Sequence, residues 1–309
     1  MTLPGNAAIP ASDSRRLAMA EMAGRRAVEM AIAGGPKPSQ ILTAQAFDNA
    51  IRADMAIGGS TNAIIHLVAI AGRVGVALPL TRFDELSKTT PFLVNLRPSG
   101  KYLMEDFFYA GGLPAVLKQL LPLLHGGRAD RERPLDRRQR HATRSASTRT
   151  SFDPLAMPLS SEGGTVILVR QSLPRRRRAQ AVGGLTASPD ASRPRGRRSR
   201  TTRISTSAST TRASRSTRTR CWCSSRSARA GRRACRSGAR RRSPRGFSSE
   251  GVKDMVRISD ARMSGTSYGT VVLHVAPESA IGGPLALVRD GDEIELDVPR
   301  RSLTPQGRR

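Results

Sequence analysis

Residues 171–250 contain 23 arginines, no lysine and only two acids, Asp190 and Glu250. That composition limits what the stretch can become. Its like charges repel, and its few large apolar side chains, such as Trp222 and Phe247, bury too little surface to offset the entropy of ordering the chain. No helical or strand periodicity runs through it, so disorder is expected. A shorter block, 127–150, repeats the pattern with eight arginines against Asp130, Glu132 and Asp136. The two blocks hold nearly all of the formal net charge of +28. What remains is close to neutral and reads as ordinary folded protein.

Residues 1–126 read as helical. Asp13 or Ser14 can cap a helix through Leu17, Met22, Val28 and Met30, and Gly34-Gly35-Pro36 stops it. Thr43 precedes a second helical stretch ending near Ile57. Gly58-Gly59-Ser60-Thr61-Asn62 then forms a turn opening into the apolar run Ala63 to Ala71, expected to be a mostly buried helix. Pro79 and Thr81 introduce a short helix around Phe83 and Leu86. Tyr102 to Tyr109 and the leucine-rich 113–124 are expected as packed helices. His66 reads as a core residue, and Lys101 with Glu105-Asp106 as a helix-surface ion pair.

Order returns at 151–170, where Thr165 to Val169 reads as a buried strand after Gly163-Gly164. From Gly251 the sequence is again protein-like. Val271 to Val275 is expected as a strand. Leu285 to Val288 and Glu293 to Val298 flank Asp290-Gly291, which predicts a hairpin.

No apolar run reaches the length of a membrane span, and Asp13, Arg15 and Arg16 interrupt any secretory signal at the start. A cytoplasmic protein without membrane association is expected. The cysteines, Cys221, Cys223 and Cys235, all fall inside the arginine block and form no C-x-x-C pair.

Two long stretches carry a resemblance. The first, within 47–120, contains "AIGGSTNAIIHLVAIAG" and "NLRPSGKYLMEDFFYAGGLPAVLKQL". The second, within 251–303, contains "VRISDARMSGTSYGTVVLHVAPESAIGGPLALVRDGDEIELDVP". "DPLAMPLSSEGGTVILV" adds a weaker third piece. They resemble the dihydroxy-acid dehydratase family, which also includes phosphogluconate and pentonate dehydratases. The resemblance implies an α/β fold class: a partial N-terminal α/β domain over 1–126 and fragments of a C-terminal β-barrel-like domain. Those fragments are its start at 151–170 and the piece 251–309. The blocks 127–150 and 171–250 stand apart as aberrant segments.

The family removes water from a 2,3-dihydroxy acid to give a 2-keto acid, in branched-chain amino acid biosynthesis or in sugar-acid breakdown. Hydroxide leaves poorly, so the reaction needs a Lewis acid on the 3-hydroxyl and a base for the proton at C2. In the family an iron–sulfur cluster (2Fe–2S type) held by three cysteines serves the first purpose, and Mg²⁺ bound by carboxylates and a carbamylated lysine holds the substrate. The resemblance places Ser264 at the family's base, with Thr266 orienting substrate or base. Without the resemblance, Ser264-Gly265-Thr266 would be a small polar turn. Ser60, Thr61 and Asn62 either cap the next helix or line a substrate pocket where helix amides favour anions.

The cluster cysteines, the first magnesium carboxylates and the lysine have no counterpart in this sequence. The position of the family's later magnesium-binding glutamate falls at Gly238, where the likeness has lapsed. The chain is therefore expected to be a defective catalyst lacking ligands for both cofactors. Arginine to the exclusion of lysine, among Ser, Ala, Pro and Thr, is what a shifted reading frame yields in a GC-rich gene. At least two regions are read here as out of frame.

Two other readings stay open. One is a sugar-acid (arabinonate- or xylonate-type) dehydratase fragment. The other is an arginine-rich nucleic-acid binder, for which the block would supply charge but few aromatics and no module to read bases. Expected partners are a small dihydroxy acid, a second copy in a homodimer, and nucleic acid only nonspecifically.

Overall fold

The computed structural model describes residues 3, 5–97, 100–126, 155–169, 256–262, 270–288 and 293–306, together with the backbone of strands at 180–185, 201–206 and 220–224. The chain divides into two compact units. Met1–Gly59 with Ala63–Gly163 form the first, and Ser60–Asn62 with Gly164–Arg309 the second. Among the described residues no helix is long and apolar enough to cross a membrane.

The described elements of the first unit are helical: α1 (Arg15–Ile32), α2 (Pro38–Ile41), α3 (Ala44–Ile57), α4 (Thr61–Arg73, its first two residues counted with the second unit), α5 (Leu80–Lys88), α6 (Met104–Tyr109) and α7 (Gly112–Leu120). Their ends follow local chemistry. Asp13, rather than Ser14, accepts the Arg15 amide at 2.9 Å at the start of α1. Thr43 caps α3 by accepting from the Ala46 amide at 3.2 Å. Helices α1, α3 and α4 each end on a left-handed glycine, Gly34, Gly58 and Gly75, which lets its own amide and the next fold back on the last carbonyls. At α3 the Gly59 amide donates to the Asp54 carbonyl at 2.9 Å and Gly58 to Met55 at 3.3 Å.

Packing centres on α3 and α7. Ala56, Leu93, Val94, Leu96, Phe107, Val116 and Leu120 form one cluster, with Tyr102, Leu123 and Leu155 against it. Phe92 pairs with Ser160 across an isolated bridge, so the stretch before Gly163 belongs to this core. A polar clamp joins three elements. Asp48 on α3, buried, accepts from Arg82 at 2.9 and 2.6 Å and lies 3.2 Å from His125 Nε2. Asn49 fixes the His125 backbone with two bonds, at 3.0 and 2.8 Å. The Arg82 bond holds the Asp48 carboxyl below the usual carboxylate range. Replacing Asp48 with Ala removes both of its bonds to Arg82, whose partly exposed guanidinium keeps only Glu85, 3.1 Å away. It is expected to cost about 1–3 kcal/mol in a denaturant titration, and an Arg82→Ala cycle would isolate the pairwise part.

Several expectations are corrected here. The run after Asn62 is helical but mostly exposed: Thr61, Ile64 and Ala71 are buried, whereas Ile65, His66, Val68 and Ile70 are exposed. A single stripe of α4 packs, so an all-apolar sequence does not make an all-buried helix, and His66 is not a core residue. Leu17, Met22, Val28 and Ile32 on α1 are exposed as well. The ion pair between Lys101 and Glu105 or Asp106 is not formed; Asp106 instead accepts the Leu103 amide at 2.8 Å and closes the first turn of α6.

The described strands of the second unit form one sheet: β1 (Val166–Val169), β2 (Gln180–Leu185), β3 (Thr201–Thr206), β4 (Arg220–Ser224), β5 (Val256–Ser259), β6 (Thr270–Ala276), β7 (Glu293–Asp297) and β8 (Ser302–Gln306). Its order is β1-β2-β6-β5-β4-β3-β7-β8. The strands β3, β4, β5 and β6 run parallel, and antiparallel pairs flank them on both sides. The core is Val166, Leu168, Ile258, Val272, Val275, Leu285, Ile294 and Leu296.

Three strands thus lie inside the arginine block, which was expected to hold none. Each is a short run with β-branched, aromatic or apolar residues, such as Ile204 with threonines two places away on both sides and Trp222 between cysteines, where local β-propensity outweighs the nearby charge. The rest of 171–250, and all of 127–150, lies outside the described residues. The predicted hairpin is also corrected. Pro284–Leu287 is a 3-10 turn rather than a strand, because Gly283-Pro284 presets a helical turn. The actual hairpin joins β7 to β8, with Asp297 accepting the Arg300 amide at 3.0 Å in the turn.

Candidate functional site

The two halves of the predicted site are described unequally. Ser264 and Thr266 lie outside the described residues, so only their flanks can be placed. Ser60, Thr61 and Asn62 are described, and they fall in the second unit, the one whose sequence carries Ser264. Ser60 Oγ accepts the Asn62 amide at 3.2 Å, and Thr61 is buried as the first residue of α4. That is a helix cap. The capping role of the motif is therefore present in the geometry.

Just before this turn is a group the sequence reading passed over. Asp54, on the last turn of α3, is held against Gly59 so closely that a Cβ there would come within 1.9 Å of its Oδ1. Only glycine permits this approach. Burial alone pushes the Asp54 carboxyl up to about 7 from 3.8. An isolated acid on the apolar face of "IRADMAIGG" was the available signal.

On the other unit, Asp260 follows β5 and precedes Ser264 by four residues. Its carboxylate is buried, and Oδ2 accepts from both the Ser279 amide, at 2.9 Å, and the Ser279 hydroxyl. Its Oδ1 is buried with no hydrogen-bond partner among the described residues. So is Nε2 of His274 on β6. Burial, with the charge of Arg262, lowers His274 to about 4, leaving a neutral imidazole near neutral pH.

No three His, Cys, Asp or Glu side chains gather as a metal site among the described residues. Cys221 and Cys223 sit on β4, where only the backbone is described, and Cys235 lies outside the described residues.

Comparison with known proteins decides the lineage. Residues 1–130 match the family model for the dihydroxy-acid/6-phosphogluconate dehydratase N-terminal region, and 242–307 match that for the C-terminal region. The chain belongs to the dihydroxy-acid/6-phosphogluconate dehydratase family. Within that family it is 45% identical over 330 residues to an L-arabinonate dehydratase of Rhizobium leguminosarum bv. trifolii (strain WSM2304), covering 98% of this chain and 52% of the relative. It is 46% identical over 315 residues to an L-arabonate dehydratase of Azospirillum brasilense, with the same coverage. It is 34% identical over 330 residues to a dihydroxy-acid dehydratase of Geobacter metallireducens (strain ATCC 53774 / DSM 7210 / GS-15), covering 98% of the chain and 54% of the relative. The chain spans about half the length of the dehydratases it matches.

Proposed function

We propose that this chain derives from a hydro-lyase acting on a sugar acid, and that these 309 residues alone do not complete the reaction. One observation carries the substrate class: identity is 45–46% to the arabinonate dehydratases and 34% to the branched-chain type. That reverses the order of preference drawn from the motifs, which do not separate the two. Within the reading, Ser264 occupies the position of the proton-abstracting base and Thr266 that of its neighbour. Ser60, Thr61 and Asn62 form a helix start whose amides suit the substrate's carboxylate.

A serine hydroxyl is too weak a base by itself and requires a nearby positive charge or metal to ionise. The residues present offer binding and proton transfer, while expulsion of hydroxide needs a Lewis acid held by groups not found in this sequence. The purified chain is expected to form no 2-keto acid from L-arabinonate or 2,3-dihydroxyisovalerate and to contain no stoichiometric iron or sulfide. Turnover with a bound cluster would overturn the second half of the proposal; turnover of the branched-chain acid alone would overturn the first.

The arginine blocks are assigned to a shifted reading frame. Replacement of family sequence by a block of similar length is what a shifted frame would leave, and matches running across 98% of the chain agree with that reading. Translating the other frames of the coding DNA over 127–150 and 171–250 is expected to restore family-like sequence. If neither frame does, this part fails.

A further inference from the structure

Helix α1 has more apolar surface than its own unit covers. At 3.6 residues per turn, roughly half of its circumference is apolar apart from Arg16 in the first turn. The other half carries Arg15, Glu21, Arg25, Arg26 and Glu29, knit by ion pairs from Arg25 to Glu21 at 2.7 Å and from Arg26 to Glu29 at 2.9 Å. That side belongs to solvent. Along one edge of the apolar half, Met19, Ala23 and Met30 are partly covered. The rest, Leu17, Ala20, Gly24, Ala27, Val28 and Ala31, is exposed, Leu17 to 78%, and Ile32 extends it at 83%. No residue of this 18-residue helix is buried. Helices draw most of their stability from a packed apolar face, and most of the face that would hold α1 stays exposed.

Gly24 stands at the centre of α1 and within the exposed stripe, with no left-handed backbone to require it. Glycine inside a helix is less stable than alanine. Beyond its own helix, nothing among the described residues lies within 4 Å of where its Cβ would stand. A glycine that neither the backbone nor this chain's packing needs suits the close approach of a partner's backbone. Helix α4 repeats the arrangement. Ile65, Val68 and Gly72, at helical spacing on one side, are all exposed, and Gly72 too has nothing within 4 Å of its would-be Cβ.

The imbalance is confined to one unit. Of the fifteen large hydrophobic side chains that stand exposed among the described residues, thirteen belong to the helical unit and only Ile281 and Leu287 to the sheet unit. The chain spans 52% of the length of the arabinonate dehydratases it matches, so those proteins carry about as much sequence again outside the match. We propose that the outer face of α1, centred on Gly24, docks that other half of the dehydratase polypeptide and accepts it as a separate chain. A second copy suits the face less well, because each copy brings a formal charge of +28 and like charges oppose association. Family membership is all that this requires, and the sugar-acid reading plays no part in it.

The test is co-expression of the full chain with a tagged partner, the part of the Azospirillum brasilense L-arabonate dehydratase that lies outside the match. Capture is carried out at high salt, where binding through the arginines is screened. The chain is expected to be captured, with slower hydrogen exchange at the α1 amides than in the chain alone. Gly24→Gln fills the close approach, and Val28→Lys places a charge in it. Both sites are exposed, so the circular dichroism of the chain is expected to be unchanged. Each is expected to lower capture about tenfold or more. Glu29→Gln, on the charged side, is expected to leave capture as it was.

Failure to capture the unsubstituted chain overturns the assignment. Capture indifferent to Gly24→Gln and Val28→Lys overturns it too, since the contact then lies elsewhere. Sedimentation of the chain alone decides the case of a second copy: a dimer that Gly24→Gln dissociates means that α1 is covered by its own kind. Flotation with phosphatidylcholine vesicles that Val28→Lys abolishes would likewise give the face to lipid. Keto-acid formation is scored separately, and capture without turnover upholds the docking surface whatever becomes of the catalytic reading.

Discussion

Replacing Asp54 with Asn is expected to make the helical unit harder to unfold in mildly alkaline buffer and to leave it unchanged in acid. The folded carboxyl titrates at about 7 because burial disfavours its charge, against 3.8 when exposed. Its sign is opposite to that of a salt-bridged aspartate. Between those two values the unfolded chain releases the proton while the folded one retains it, so stability falls as pH rises from 3.8 and levels off above about 7. The full penalty is on the order of 4 kcal/mol. Asparagine keeps the shape and cannot ionise. Far-UV circular dichroism, which follows the helices, should therefore show a midpoint raised by roughly 5–10 °C at high pH. A gain that persists below 3.8 would mean that amide packing, not ionisation, is responsible.

Gly58→Ala is expected to have a comparable effect in the other direction. Gly58 has φ +67, and a Cβ there would stand 2.4 Å from Cε2 of Phe92, whose ring is 2% exposed. The left-handed backbone costs about 1 kcal/mol in any non-glycine residue, and displacing a packed ring adds about 1–3 kcal/mol. Gly34→Ala separates the two terms. Gly34 ends α1 with φ +72, and nothing lies within 4 Å of its would-be Cβ. That variant should lose only the backbone part. Equal losses at the two sites, measured by urea unfolding, would show that Phe92 moves aside freely.

These two residues illustrate what could be read from the sequence. Thr43 and Gly58 delimit α3 by capping chemistry that acts over four or five residues, so its bounds were legible. Val166–Val169 and Thr270–Ala276 were legible as apolar runs. The exposure of Ile65, Val68 and Ile70 was not, because which stripe of an all-apolar helix packs depends on its neighbours. Asp54 acquires its chemistry only from the glycine folded over it. Asp260 and His274 stand in the resemblance as unremarked letters; a bulge in β6 re-aims His274 and arises from pairing with Gln180 and Val182, far back in the chain. Ser264 and Thr266 were assigned by likeness alone, and the described residues place only the strand ends on either side of them.

The strand order has a consequence for biosynthesis. β3 leaves the ribosome long before β7, its antiparallel neighbour, since Thr202 must wait for Leu296. Until the C-terminal hairpin emerges, one border of β3 offers unsatisfied amides and carbonyls to any passing chain. Ribosome-bound intermediates halted ahead of Glu293 should therefore be the species that aggregates, even where the finished polypeptide stays dispersed.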